Sequence, residues 1–147
     1  EPKRNSGKVG NQPHELIYPT NMTKKLLIDT DVFVDYLMGE QHAREFFEQL
    51  PEGIFYYSSL TKLELLSASV CADPAVRNST TALLSLGRRV EVDDAVTGMA
   101  AEEKRKHGLS LPQSIMAATA LHLKAELVTR SIGDFKKIKE LLLMKPY

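Results

Sequence analysis

A three-layer α/β/α fold around a central, mostly parallel sheet of about five strands is what the sequence predicts, from three observations. Short apolar runs alternate with longer stretches whose apolar residues recur every three or four positions, the order of strands that cross over through helices. The first such run, Leu26-Leu27-Ile28, is apolar throughout, as a strand covered on both faces is. The chain has 147 residues, 43% hydrophobic and 26% charged, which is the size and balance of one globular domain and excludes collagen-like, wholly disordered and supercharged classes. Lys+Arg and Asp+Glu both number 19, so a nucleic-acid partner would be held by local patches and not by global charge.

Taken in order, residues 1–21 carry Pro2, Pro13, Pro19, Gly7 and Gly10 with no helical or strand period. They read as a flexible N-terminal extension, native or added, with Met22 a candidate start and residues 22–147 the domain. Lys25 to Asp29 is the first strand. Val32 to Leu37 and Gln41 to Leu50 are helices broken near Gly39. Gly53 to Ser58 is the second strand, between Pro51 and the serine pair Ser58-Ser59. Thr61 to Cys71 and Pro74 to Leu86 have helical spacing. Arg89 to Val92 is a third strand, Asp94 to His107 a helix stopped at Gly108, and Leu111 to Leu123 an alanine-rich helix. Strand Glu126 to Thr129, a short helix at Phe135 to Ile138 and a strand at Leu141 to Met144 complete the chain.

In open parallel sheets ligands gather where strands end and loops feed helices. Asp29 closes the first strand, with Asp31 two residues on. Glu64 follows the second strand, and Asp134 follows the fourth. Hard oxygen ligands without His or Cys suit Mg2+ or Mn2+, held through few carboxylates plus substrate phosphate, and so point to phosphodiester chemistry.

Each acid also has a purely structural reading. Thr61-x-x-Glu64 is a capping box, so Glu64 serves either the helix start or a site. Asp31 suits the N-cap of a helix beginning at Val32, and Asp134 suits the cap of the short helix after it. Asp29 fits such readings least, because it closes a run of apolar residues and loses hydration with no local partner. His14, His42, His107 and His122 share no ligand spacing, Cys71 has no His partner, and the scattered methionines read as core filler. A single cysteine excludes an internal disulfide, and no run of about 18 apolar residues or leader pattern is present, so a reducing, cytoplasmic setting without membrane is expected.

Four segments in sequence resemble the PIN domain, most closely its small single-domain form in toxin–antitoxin pairs of the VapBC type. They are Leu27-Ile28-Asp29-Thr30-Asp31-Val32, Ser59-Leu60-Thr61-Lys62-Leu63-Glu64-Leu65, Leu111-Pro112-Gln113-Ser114-Ile115-Met116-Ala117-Ala118-Thr119-Ala120 and Leu127-Val128-Thr129-Arg130-Ser131-Ile132-Gly133-Asp134-Phe135. The resemblance implies a PIN-like fold and a Mg2+- or Mn2+-dependent endoribonuclease. Asp29, Glu64 and Asp134 would be its catalytic, metal-holding acids, activating a water and neutralising charge on the phosphorane. It also implies a homodimer and a cognate antitoxin that blocks the acidic cleft, with Val34, Leu37, Phe46 and Phe47 offering an apolar surface unless the core takes them. Thr30, Asp31, Thr129, Ser131 and Arg130 are candidate substrate or supporting residues, and Arg130, Lys136 and Lys137 could meet the RNA backbone.

One departure matters. The family has Asp where this chain has Gln113, a metal position that keeps an oxygen donor and loses its charge. A unit-charge pair at about 4 Å is worth roughly 4 kcal/mol at an effective dielectric of about 20. Gln113 also completes Ser110-x-x-Gln113, itself a capping box. The alternative is therefore a catalytically weakened PIN-fold binding protein. A more distant one is a haloacid dehalogenase-like phosphohydrolase, for which Asp29-Thr30-Asp31 fits but Phe33, followed by Val34, stands two residues after the second Asp where Thr or Val is expected, and Asp93-Asp94 is a loose echo of its metal acids.

Overall fold

The computed structural model describes residues 24–51 and 53–147. The expected extension over residues 1–21, the start at Met22 and His14 lie outside them. Five strands, β1 (Leu26–Ile28), β2 (Phe55–Ser58), β3 (Arg88–Val90), β4 (Glu126–Val128) and β5 (Leu143–Met144), form one sheet in the order β3-β2-β1-β4-β5. Every pairing is parallel.

Alternation along β1 and β4 sorts the helices into layers. Leu26 and Ile28 turn to one face and pack with α1 (Thr30–Leu37), α2 (Gln41–Gln49), α3 (Ser59–Ser67) and α4 (Pro74–Ser85) through Val32, Phe33, Phe46, Leu65 and Leu84. Leu27 and Leu127 turn to the other, against Met116, Ala117 and Ala120 of α6 (Leu111–Leu123) and Phe135 of α7 (Ile132–Phe135). Helix α5 (Asp94–His107) packs Val96 and Ala100 on Ala118 of α6, whose alanines allow the close approach. Phe46 is 3% exposed and Phe47 packs against the same cluster. Leu37 packs against that cluster too, so the core has taken three of the four residues expected to offer a partner surface, and only Val34, at 42%, is well exposed.

Helix starts differ from expectation where a side chain upstream takes the cap. Helix α1 begins at Thr30 because the Asp29 carboxylate accepts from the Thr30 amide at 2.8 Å, so Asp29, and not Asp31, is its N-cap. Helix α3 begins at Ser59 because Ser58 Oγ accepts from the Leu60 amide at 3.1 Å. The expected Thr61–Glu64 capping box is therefore absent, since Thr61 already lies inside the helix. The helix expected to run to Cys71 ends at Ser67 and gives way to a 3-10 turn over Ser69–Ala72. Helices α5 and α6 fall where the pattern places them. Gly108 takes the left-handed conformation, φ 63°, that ends α5.

Candidate functional site

A cleft opens at the carboxyl ends of the inner strands β1 and β2, where α1 and α3 begin, and is closed by the N-terminus of α6 and the loop after β4. Asp29, Asp31, Asp35 and Glu64 line it together with Gln113, Arg130 and Ser131. Topology explains the convergence: β1 is flanked by β2 and β4, so three segments far apart in sequence end at one edge.

Thr30 joins two of the acids. Its amide donates to Asp29 Oδ1 at 2.8 Å and its hydroxyl to Glu64 Oε1 at 3.0 Å. Thr129, fully buried at the end of β4, donates its hydroxyl to Asp29 Oδ2 at 2.8 Å and lies 3.4 Å from Asp31 Oδ2. The Arg130 amide at 3.2 Å and the Ser131 hydroxyl at 3.3 Å also donate to Asp31 Oδ2. Asp31 is thus held by the β4 loop and caps nothing.

The electrostatics are those of several acids crowded around the single positive charge of Arg130. Burial, reinforced by the adjacent Asp31 carboxylate and to a lesser degree by Glu64, pushes Asp29 up to about 6 against the hydrogen bonds from Thr129 and Thr30. Burial likewise raises Asp31, opposed by the Arg130 amide and the Ser131 hydroxyl. Asp31 Oδ1 is buried and has no hydrogen-bond partner among the described residues. An orphaned carboxylate oxygen beside a second acid that resists ionisation is what a bound cation would relieve.

Among the described residues no group of three His, Cys, Asp or Glu side chains is close enough to enclose a metal unaided. Magnesium asks for less: one or two carboxylates, with water and substrate phosphate completing its shell. Oxygen donors without nitrogen or sulfur fit it by type.

Two expected site residues stand differently. Asp134 is exposed on α7 and does not line the cleft; its neighbour Phe135, 1% exposed, turns into the core and cleft wall and leaves Asp134 facing outward. It caps nothing either, being inside the single turn whose N-cap is Ser131. Gln113 does line the cleft, but its Oε1 accepts from the Ser110 amide at 3.0 Å while its own amide donates to Ser110 Oγ at 3.2 Å, the full capping box. Lys136 and Lys137 are exposed and outside the lining. The described histidines also stand apart from it, with His42 beside Glu40 and Tyr147, and His107 beside Glu103.

Asp35 and Tyr147 were not singled out from sequence, and Thr61 was read only as a helix cap. Asp35, one helical turn beyond Asp31, lines the cleft and accepts from Arg130, and the Tyr147 hydroxyl donates to the same carboxylate. Thr61, fully buried, lies 2.9 Å from the Thr30 hydroxyl. The helical step from Asp31 to Asp35 was the available signal for the first; Tyr147 had none beyond hydroxyl chemistry, and the signal at Thr61 was its three-residue spacing to Glu64.

Residues 26–141 match the family model described as the PIN domain. Several solved structures share the fold. A toxin–antitoxin complex from Klebsiella pneumoniae has 24% identity and a TM-score of 0.73, covering 84% of this chain and 98% of that one. VapBC2 from Rickettsia felis, bound to a DNA fragment from its promoter, has 20% identity and a TM-score of 0.68, covering 81% and 96%. FitAcB from Neisseria gonorrhoeae has 21% identity and a TM-score of 0.68, covering 82% and 97%. No curated protein matches the sequence.

Proposed function

The chain belongs to the PIN domain family, and from that premise we propose that its acidic cleft is a divalent-cation site hydrolysing RNA phosphodiesters, the endoribonuclease toxin of a toxin–antitoxin pair. PIN domains are generally nucleases dependent on divalent metal. Membership also sets aside the dehalogenase-like alternative for Asp29-Thr30-Asp31. The observation that carries the reading is the buried Asp31 Oδ1, unpartnered among the described residues, beside Asp29, whose pKa is pushed up to about 6.

Asp29 and Glu64 would hold Mg2+ or Mn2+ together with water and substrate phosphate, the Asp31 carboxylate adding charge beside them. When bound, the ion supplies Lewis acidity and a water of lowered pKa. The chain's own residues do the remaining work. Thr129 and Thr30 orient the carboxylates, and Arg130, the one basic residue among those lining the cleft, offers a guanidinium to the RNA phosphate. Gln113 stands at the weakened fourth position with its oxygen committed to the helix cap.

Partners are proposed on the same footing. The solved relatives include toxin–antitoxin complexes, and an apolar groove lined by Tyr36, Leu37, Val76, Leu83 and Leu86 would receive an antitoxin segment in this chain. A homodimer is the companion expectation. No helix among the described residues is long and apolar enough to cross a membrane, and Cys71 is a free, buried thiol, which suits a reducing cytoplasm.

Incubating a mixed RNA pool with the protein and Mg2+ or Mn2+, beside Asp29→Asn, tests the reading. Cleavage is expected with metal and wild-type protein only. Equal, metal-independent cleavage by both proteins would remove the nuclease assignment. The engagement of Gln113 favours one second reading, a PIN-fold binding protein, for which RNA would be bound and left intact.

A further inference from the structure

Behind the cleft, a chain of hydroxyls leads from the protein interior to one of its acids. Thr30 Oγ1 is 3.0 Å from Glu64 Oε1 and 2.9 Å from Thr61 Oγ1. A hydroxyl has one proton, and an ionised carboxylate only accepts, so the Thr30 proton goes to Glu64. The Thr61 hydroxyl must then be the donor to Thr30. Direction is fixed along the row: Thr61 to Thr30 to Glu64, each donor polarised by the one before it.

The row ties three elements together. Thr61 and Glu64 sit one turn apart on α3, while Thr30 is the first residue of α1 and its amide fixes Asp29. Thr61 is fully buried and does not line the cleft. Valine keeps the branched shape of threonine and lacks its hydroxyl, whose hydrogen-bond partner here is the Thr30 hydroxyl.

We propose that Thr61 is a positioning residue of the cation site, acting through Thr30 to hold the Glu64 carboxylate beside Asp29. This rests on the reading of the cleft as a divalent-cation site. Partners that orient metal ligands from behind typically change affinity by about 10- to 100-fold when removed, and that is the loss expected here.

Mn2+ affinity is measured by calorimetry on metal-stripped protein without RNA, for wild type, Thr61→Val, Thr61→Ser, Thr30→Ala and the Thr61→Val/Thr30→Ala pair, with thermal unfolding in chelator as the fold control. Thr61→Val is expected to bind about 10- to 100-fold more weakly and Thr61→Ser to bind as wild type does. Because the row acts in series, the double variant should lose no more than Thr30→Ala alone. Wild-type affinity in Thr61→Val, or losses that add fully in the pair, overturns the proposal. Should Thr61→Val fail to fold, the Thr61→Ser and Thr30→Ala arms decide: weak binding by Thr61→Ser or wild-type binding by Thr30→Ala overturns it. Absence of Mn2+ binding by the wild-type protein overturns the cation reading itself and this inference with it.

Discussion

Arg130 and Asp35 face each other at the mouth of the cleft, with Nη1 of the guanidinium 3.0 Å and 2.9 Å from the two carboxylate oxygens. The Tyr147 hydroxyl donates to the same carboxylate, so Asp35 pins the arginine from one side and the end of the described chain from the other. Among the described residues, Nε and Nη2 of Arg130 take no hydrogen-bond partner, which leaves donors for a phosphate.

Arg130→Gln should therefore weaken RNA binding, measured in chelator so that nothing is cut. The slope of log affinity against log salt should fall by about one, the signature of one lost phosphate contact. Because the Arg130 side chain is half exposed, Asp35→Asn should cost no more than about 1 kcal/mol of stability. An unchanged salt slope in Arg130→Gln would place the phosphate elsewhere.

Asp29 makes stability depend on pH in a defined direction. Its pKa is pushed up to about 6 from an ordinary value of 3.8, so folding favours the protonated form. The stabilising contribution is full below about pH 4 and is lost as pH rises through about 6. A shift of that size corresponds to at most about 3 kcal/mol. Asn keeps the cap and an acceptor for Thr129 but does not titrate. Denaturant unfolding without metal should show Asp29→Asn gaining on wild type between pH 4 and 7. Mn2+ should then stabilise the wild type at pH 7.5 and much less at pH 5, where Asp29 is protonated. A pH-independent difference between the two proteins would exclude Asp29 as the strained acid.

Legibility from sequence followed the range of the interaction. Helices α5 and α6 were readable to the residue because their signals are local: Asp93 and Gly108 bracket one, the Ser110–Gln113 box opens the other. The acids at the ends of β1 and β2 were readable from strand-end logic and family resemblance. The roles of Asp29 and Asp31 as cap were exchanged, because a carboxylate one residue before Thr30 captured its amide and began the helix early. Asp134 was misplaced for a rotational reason: in a single turn the buried Phe135 decides which way its neighbour points. Thr129 with Asp29 and Thr61 with Thr30 are contacts between strands or helices distant in sequence, and no local pattern encodes them.

The step from α4 into β3 depends on Gly87 for space. A Cβ there would run into the ring of Phe55, itself 4% exposed and packed among Phe33 and Phe47. Gly87→Ala should destabilise by roughly 1–3 kcal/mol, as forced overpacking does. Phe55→Leu in the same background should recover part of the loss, because the smaller side chain leaves room. Equal unfolding midpoints for wild type and Gly87→Ala would show that the ring moves aside freely.

Gln113 sets two demands against each other, and Gln113→Asp separates them. The glutamine reaches back to the Ser110 amide at 3.0 Å. An aspartate, one methylene shorter, gives up that half of the capping box, at a cost of about 0.5–1 kcal/mol in the metal-free protein. Some of this is returned by a negative charge in the first turn of α6. The freed carboxylate now stands in a cleft already lined by Asp29, Asp31 and Glu64. Without a cation it adds repulsion; with one it adds a charged ligand. The variant should therefore unfold at lower denaturant than wild type in chelator, yet bind Mn2+ at least tenfold more tightly, which is about 1.4 kcal/mol. RNA cleavage should rise with it. Tighter Mn2+ binding without faster cleavage would show that metal affinity does not limit turnover. Unchanged Mn2+ affinity would show that position 113 stands outside the coordination sphere, and that the glutamine serves the helix alone.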